Sequence, residues 1–208
     1  RVDRTHGVPA PHKPVLLISI LQMYKNGKLK DDKIIISPEL ISLFKANWSL
    51  LVVSNHTCNI AYPFYHLKSS TFWKLIPKNP VSNLNFRVSL SNLNAIVECA
   101  VIADDLFNLA LNYESNTVLS QILLNEFFPQ TKDRIGRSAS TQEKLFSKIE
   151  DDILHESPAK YSAKMKKLIE QKDEEEIFLR GGIFKREIPK IYNYTCCISG
   201  MHIDANIS

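Results

Sequence analysis

The chain is 208 residues long, 44% apolar and 23% charged, with a net charge of +4. These values exclude a disordered, collagen-like or disulfide-scaffold polypeptide and allow one large domain or a domain plus a fragment. The charge is uneven: residues 1–103 carry 12 Lys and Arg against 5 Asp and Glu (+7), and residues 104–208 carry 14 against 17 (−3). A basic first half fits a polyanionic partner. Cys58, Cys99, Cys196 and Cys197 have no framework spacing, which fits a reducing compartment. No apolar run approaches membrane length, and no secretory apolar core opens the chain. The expectation is a soluble, cytoplasmic protein with no membrane partner.

Taken in order, residues 1–12 read as an extended arm, because Pro9 and Pro11 disfavour helix. A helix is expected from Pro14 to Lys25, closed by Asn26-Gly27. Between Val15 and Leu21 only Ser19 is polar, so this helix should be buried on every side. Its start places a positive dipole end beside His12 and Lys13. That arrangement suits an anion, and equally suits a plain core helix with a solvated basic cap. Lys33 to Ile36 reads as a short strand. Ser37-Pro38-Glu39 starts a second helix whose Leu40, Ile41, Phe44 and Trp48 stand at helical spacing.

From Asn55 to Leu93 the pattern turns aromatic. Tyr62–His66 and Thr71–Ile76, joined by Lys68-Ser69-Ser70, read as a β-hairpin. Phe86 to Leu90 alternates like a third strand. Ile96 to Ile102 fits either a strand or a helix. Asp104-Asp105 opens a helix to about Tyr113, and another runs from Asn116 to Phe128, stopped by Pro129. Gln130 to Ser140 reads as a polar linker. Thr141–His155 and Pro158–Lys172 are charged amphipathic segments, with Glu174-Glu175-Glu176 forming a solvated helix pair or bridging arm.

No phosphate loop, nucleophile elbow or H-E-x-x-H motif occurs, and no two histidines stand at metal-ligand spacing. The residues point to a binder. The candidates are His12, Lys13, Tyr62, Pro63, His66 and Arg87, with Lys68, Ser69 and Ser70 nearby. Tyr62-Pro63 presents a ring face and a pyrrolidine, and the others supply donors or charge. Each also has an ordinary reading as core aromatic, strand breaker or solvated polar residue.

Pro11-His12-Lys13-Pro14-Val15-Leu16-Leu17, Ala61-Tyr62-Pro63-Phe64-Tyr65-His66-Leu67, Phe72-Trp73, Phe86-Arg87 and Asn125-Glu126-Phe127-Phe128-Pro129 follow one another in the chain. Together they resemble the sulfur-binding domain of phosphorothioate-dependent McrA-type restriction endonucleases. The tail from Phe184, with Tyr194-Thr195-Cys196-Cys197-Ile198-Ser199-Gly200, resembles the opening of the HNH domain that follows it in that family. The resemblance implies an α+β fold: a helix-rich sulfur-binding domain with a small antiparallel sheet (1–130), a charged helical linker (131–180) and an incomplete HNH, or ββα-metal, segment (181–208).

The function so implied is recognition of double-stranded phosphorothioated DNA. Tyr62 and Pro63 match the cup that receives the sulfur. His66 falls where a small residue can occur in the family. His12, Lys13 and Arg87 match DNA contacts, with Lys68, Ser69 and Ser70 beside them. Lysine at 13, where arginine also occurs, keeps the charge but loses a bidentate fork. No catalytic or metal-binding residue is assigned within these residues, and no cofactor. The parent protein is expected to be an HNH endonuclease using Mg or Mn, with its histidines beyond Ser208. A homodimer is left open. The competing expectations are a non-catalytic winged-helix-like DNA-binding regulator, with the hairpin as its wing, and a protein-interaction module docking through residues 141–176.

Overall fold

The computed structural model describes residues 10–196 and 198–202, so the arm expected over residues 1–9 lies outside the described residues. The chain divides into two compact units, Arg1–Gln142 and Glu143–Ser208. The described residues form a helix-rich α+β protein with one three-stranded antiparallel sheet.

Helix α1 (His12–Lys25) begins two residues before Pro14. The proline therefore sits in the first turn, where its missing N–H costs no intrahelical bond. At the other end Gly27 takes φ 67°, and Lys28 N–H reaches back to Met23 O at 2.9 Å, closing the helix. Val15, Leu16, Ile18, Ile20 and Leu21 are all buried, and so is Ser19. Leu17 is half-buried, so the helix is enclosed on most sides and not on every side as expected. Helix α2 (Pro38–Leu51) packs on it, capped by the Ser37 hydroxyl accepting from Leu40 N–H at 3.2 Å.

Ser19 donates to Val15 O at 2.8 Å and accepts from Asn47 Nδ2 at 2.9 Å. The same amide donates to Gln22 Oε1 at 2.8 Å, and Asn47 Oδ1 accepts from the Ser138 hydroxyl at 2.5 Å. Every polar atom of the amide is thereby satisfied inside the core, as burial demands.

Strands β1 (Lys33–Ile34), β2 (Trp73–Pro77) and β3 (Val97–Ile102) lie in the order β1-β3-β2. Trp73 stands opposite Ile102, and Leu75 and Ile34 stand opposite Ala100, which sets the buried face. Lys33 and Lys74 both pair with Val101, whose side chain belongs to the other face.

Three expectations are corrected. Tyr62–His66 is helix α3 (Ala61–His66), so no hairpin joins it to β2, and the winged-helix reading loses its wing. Asn59 Oδ1 accepts from Ala61 N–H at 2.9 Å, and Pro63 sits in the first turn. Ala61, Phe64 and Tyr65, at helical spacing, are buried in a helix that packs on α1. Burial of that face overrides the β preference of the aromatic residues. Phe86–Leu90 is not a strand: Ser89 caps helix α4 (Leu90–Ile96) by accepting from Asn92 N–H at 3.1 Å. Residues 131–142, expected to begin a linker, belong to the first unit. There Thr131 donates to Leu51 O at 2.7 Å, and Gln142 Nε2 donates to Ser42 Oγ at 2.8 Å and Glu39 O at 3.0 Å.

Helices α5 (Asp104–Leu111) and α6 (Tyr113–Phe127) form a tight pair, α6 being capped by Asn112, which accepts from Ser115 N–H at 3.0 Å. Asn116 bridges the pair to α1, donating to Ala110 O at 2.7 Å and Leu21 O at 2.9 Å.

Helix α7 (Ser138–His155) carries the chain from the first unit into the second, where α8 (Pro158–Gln171) and α9 (Glu174–Ile191) follow. The second unit has its own apolar residues in Ile149, Leu179 and Ile183. Its charged segments are more than a solvated arm. Arg180 is buried, donating through Nη2 to Asp152 at 2.7 Å and through Nε to Glu176 at 3.1 Å. Lys164 joins Asp152 at 2.8 Å and Glu156 at 2.7 Å. Burial would raise the Asp152 pKa, but bonds from Lys164 and Arg180 outweigh it and hold the carboxyl below its usual value. No helix among the described residues is long and apolar enough to cross a membrane.

Two outcomes follow from the buried polar groups. Asn47→Ala removes one partner each from Ser19, Gln22 and Ser138 and should lower the stability of the first unit by about 1–3 kcal/mol, read from the urea midpoint by tryptophan fluorescence. Arg180→Ala leaves Asp152 buried without its guanidinium and should cost about 3–5 kcal/mol, read from loss of helical circular dichroism on heating. The Asp152 contribution is present above the ordinary Asp range and disappears as pH falls through its lowered pKa. The variant should therefore lose its disadvantage in acid.

Candidate nucleic-acid interface

The candidate residues come from four stretches of sequence, and the fold gathers most of them around the C-terminal end of α3. Tyr62 and His66 lie one helical turn apart with rings nearly parallel, 9° between planes and centroids 6.3 Å apart. Both are exposed, Tyr62 to 48%. Pro63, expected beside Tyr62 as the second wall of a cup, is buried. It stiffens the first turn of α3 and turns no open ring face to solvent.

Lys13, in the first turn of α1, and Lys68, just past α3, are both felt electrostatically at His66. Burial first, then Lys13 and then Lys68, hold the His66 imidazolium below its ordinary pKa. Burial and both cations therefore favour the neutral imidazole. At this end of α1 no side chain caps the helix, which leaves the positive dipole end available.

Lys68 is held in place. Its ammonium lies 3.8 Å from the Tyr65 ring centroid and donates to Leu84 O at 3.0 Å. Tyr65 is the residue the sequence reading missed. Its hydroxyl donates to the same Leu84 carbonyl at 2.8 Å, and its ring meets Phe86 at 5.0 Å, edge to face. Through these contacts the irregular segment 84–87 is tied beside α3. Arg87 follows directly, exposed, with no ion-pair partner for its guanidinium among the described residues. Asn92 Nδ2 donates to its backbone carbonyl at 2.8 Å, fixing the chain at that point. An aromatic residue three positions after Tyr62, on the buried side of a helix, would have been visible as an anchor had the segment been read as helical.

The remaining candidates have structural roles. His12 Nε2 bonds to Thr57 O at 2.9 Å, and its ring lies 4.6 Å from Trp48 and 5.8 Å from His56. Burial lowers its pKa, against the raising effect of the Thr57 bond and with a smaller lowering from His56. It ties the loop before α3 to the start of α1. Ser69 donates to His66 O at 2.9 Å, and Ser70 N–H donates to Leu67 O at 2.8 Å, so both serines shape the turn after α3.

At the other end of the chain, Thr195 and His202 form an antiparallel bridge around a short turn, with Gly200 at φ 68°. The Cys196 thiol there is held down to about 7 by the Ser199 side chain and by the backbone N–H groups of Ser199 and Ile198. Cys197 and residues 203–208 of the tail lie outside the described residues. Among the described residues no three His, Cys, Asp or Glu side chains converge as metal ligands.

Neither a protein-family model nor a curated protein matches the chain.

The electrostatics of α3 make a direct prediction. His66 should titrate below the ordinary imidazole value in a two-dimensional NMR titration. Lys13→Met, by removing a nearby cation, should raise that midpoint toward the ordinary value. A midpoint unmoved by the substitution would place Lys13 away from the α3 surface.

Proposed function

We propose that the first unit recognises phosphorothioate-modified double-stranded DNA, serving as the reader of an HNH restriction endonuclease. The observation that carries the reading is the convergence of Lys13, Tyr62, His66 and Lys68 at the end of α3, with Arg87 on the segment tied alongside. An exposed aromatic pair with Lys13 and Lys68 acting on its His66, and Arg87 exposed on the adjoining segment, suits a phosphodiester whose modified atom is less well hydrated than oxygen. The sulfur is larger and softer, and the face of Tyr62 gives it apolar contact while offering oxygen no hydrogen bond. Lys13 and Arg87 hold the charge common to both anions.

The division of labour differs from the one the resemblance implies. Pro63 lies behind the surface, so the apolar contact falls to Tyr62 and the ring of His66 stacked beside it. A neutral imidazole in place of a small residue makes this cup more polar on one side. Lys68, already bonded to Leu84 and seated on Tyr65, contributes field more than reach. Cleavage in this reading belongs to an HNH centre of the parent protein using Mg or Mn. The described residues of the tail do not fit a metal centre, so no cleavage step is assigned to them.

A matched pair of duplexes, differing in one phosphorothioate, tests the reading by titration. The modified duplex should bind at least ~10-fold tighter, the ~1–3 kcal/mol that a single apolar contact supplies. Tyr62→Asp should remove the preference without unfolding an exposed position. Lys13→Ala should weaken both duplexes and reduce the slope of log affinity against log salt by about 1. Equal affinity of the wild-type chain for the two duplexes would reject sulfur recognition.

A further inference from the structure

On α1, β2, α5 and α6 lies a second concavity, made wholly of first-unit residues. Leu17 and Ile20 of α1, Trp73 of β2, Leu109 of α5 and Ile122 and Leu123 of α6 line a cleft of about 380 Å³. The volume falls within the ~300–1,000 Å³ of ligand-binding clefts. Few polar groups converge on it. The Tyr24 hydroxyl is spent on Asp31 O at 2.7 Å, and Asp105 stands at the lining with its Oδ1 accepting from Leu106 N–H at 2.8 Å. A small polar ligand would find little to orient it.

The cleft's apolar lining reaches solvent and extends to Val118. Leu109 is 44% exposed, Val118 54% and Ile122 57%, the last two one helical turn apart on α6. Exposed apolar surface of this kind, continuous with a cleft, marks a protein-interaction face more often than chance scatter. Its charge is one-sided. Across residues 104–127 the acidic residues are Asp104, Asp105, Glu114 and Glu126, and no Lys or Arg occurs. Two cations reach α6 from outside it, Lys25 on Thr117 at 3.2 Å and Lys132 on Asn125 at 2.8 Å, and the four carboxylates outnumber them.

We propose that the α5–α6 cleft binds an amphipathic helix of a partner protein, apolar on one face and rich in Lys or Arg on its flanks. Side chains at i, i+3, i+4 and i+7 of such a helix enter the cleft between Leu109 and Ile122. The flanking cations meet Asp104, Asp105, Glu114 and Glu126. Symmetric pairing of this face with a second copy is disfavoured, because it sets the acidic helix pair against an identical one. Nucleic acid is disfavoured for the same reason of sign.

The test uses the full 208-residue chain and two 14-residue amphipathic peptides without tryptophan, one of Leu and Lys, the other of Leu and Glu. Each carries a fluorescent label for anisotropy, and Trp73 emission reports contact with the cleft. The Leu/Lys peptide should bind at least tenfold tighter than the Leu/Glu peptide and shift the tryptophan emission. Ile122→Lys, at an exposed position, should weaken the Leu/Lys peptide at least tenfold while circular dichroism stays unchanged. Leu109→Lys provides a second variant should Ile122→Lys fail to fold. Equal binding of the two peptides, or binding indifferent to both variants, would overturn the proposal. So would self-association of the chain that Ile122→Lys abolishes, since a second copy would then be the occupant.

Discussion

With Leu16, Ile18 and Ser19 all withdrawn from water, α1 needs cover on most of its sides, and the first unit is arranged to provide it. Helices α2, α3, α5 and α6 each pack against it. Its one polar side chain in the buried run is answered by Asn47, and that amide is answered in turn by Ser138. The same constraint fixes where the helix begins. Its packing against α3 brings Lys13, in its first turn, within electrostatic reach of His66. Site geometry here is a consequence of core packing: a helix free to slide or tilt would not keep its first turn against another helix of six residues.

The enclosing helices then differ in charge. On the α3 side Lys13 and Lys68 act electrostatically on His66, and Arg87 is exposed on the segment tied to Tyr65. On the α5–α6 side Asp105 lines an apolar cleft, and the two helices carry four carboxylates against two cations, Lys25 and Lys132, that reach α6 from outside it. Two surfaces of one core, opposite in sign, are suited to different partners. The net charge of +4 hides this, because the two contributions largely cancel in the sum. The second unit solves another problem, that of holding three short, highly charged helices together, by burying Arg180 among Asp152 and Glu176.

Much of this could be read in the amino-acid sequence where one signal dominated. The apolar run Val15–Leu21 announced a helix buried on most sides, Leu17 excepted, and Ser37-Pro38-Glu39 announced the start of α2. The stretch Ala61–His66 could not be read in the same way. Tyr and Phe favour strands locally, and Asn59 and Pro63 start a helix only because α1 offers a surface for Ala61, Phe64 and Tyr65 to cover. The missed helix is also why Tyr65 was overlooked and Pro63 overvalued: period two puts Pro63 and Tyr65 on one face, whereas α3 buries both beneath Tyr62 and His66. Likewise Phe86–Leu90 alternates like a strand, yet Ser89 finds a better use as a helix cap. Long-range pairs such as Thr131 with Leu51 leave no trace in local pattern, so a polar segment that completes a core reads as a linker.

The proposed function is positional: it puts the modified phosphate on the end of α3, between Lys13 and Arg87. A crystal structure of the chain with a phosphorothioate duplex tests it most directly, because the anomalous signal of the DNA sulfur fixes its position. The account predicts that sulfur within ~4.5 Å of the Tyr62 ring, an apolar contact distance, with the Lys13 ammonium on the same phosphate. A duplex seated on another face, with Tyr62 and His66 still open to solvent, would contradict it.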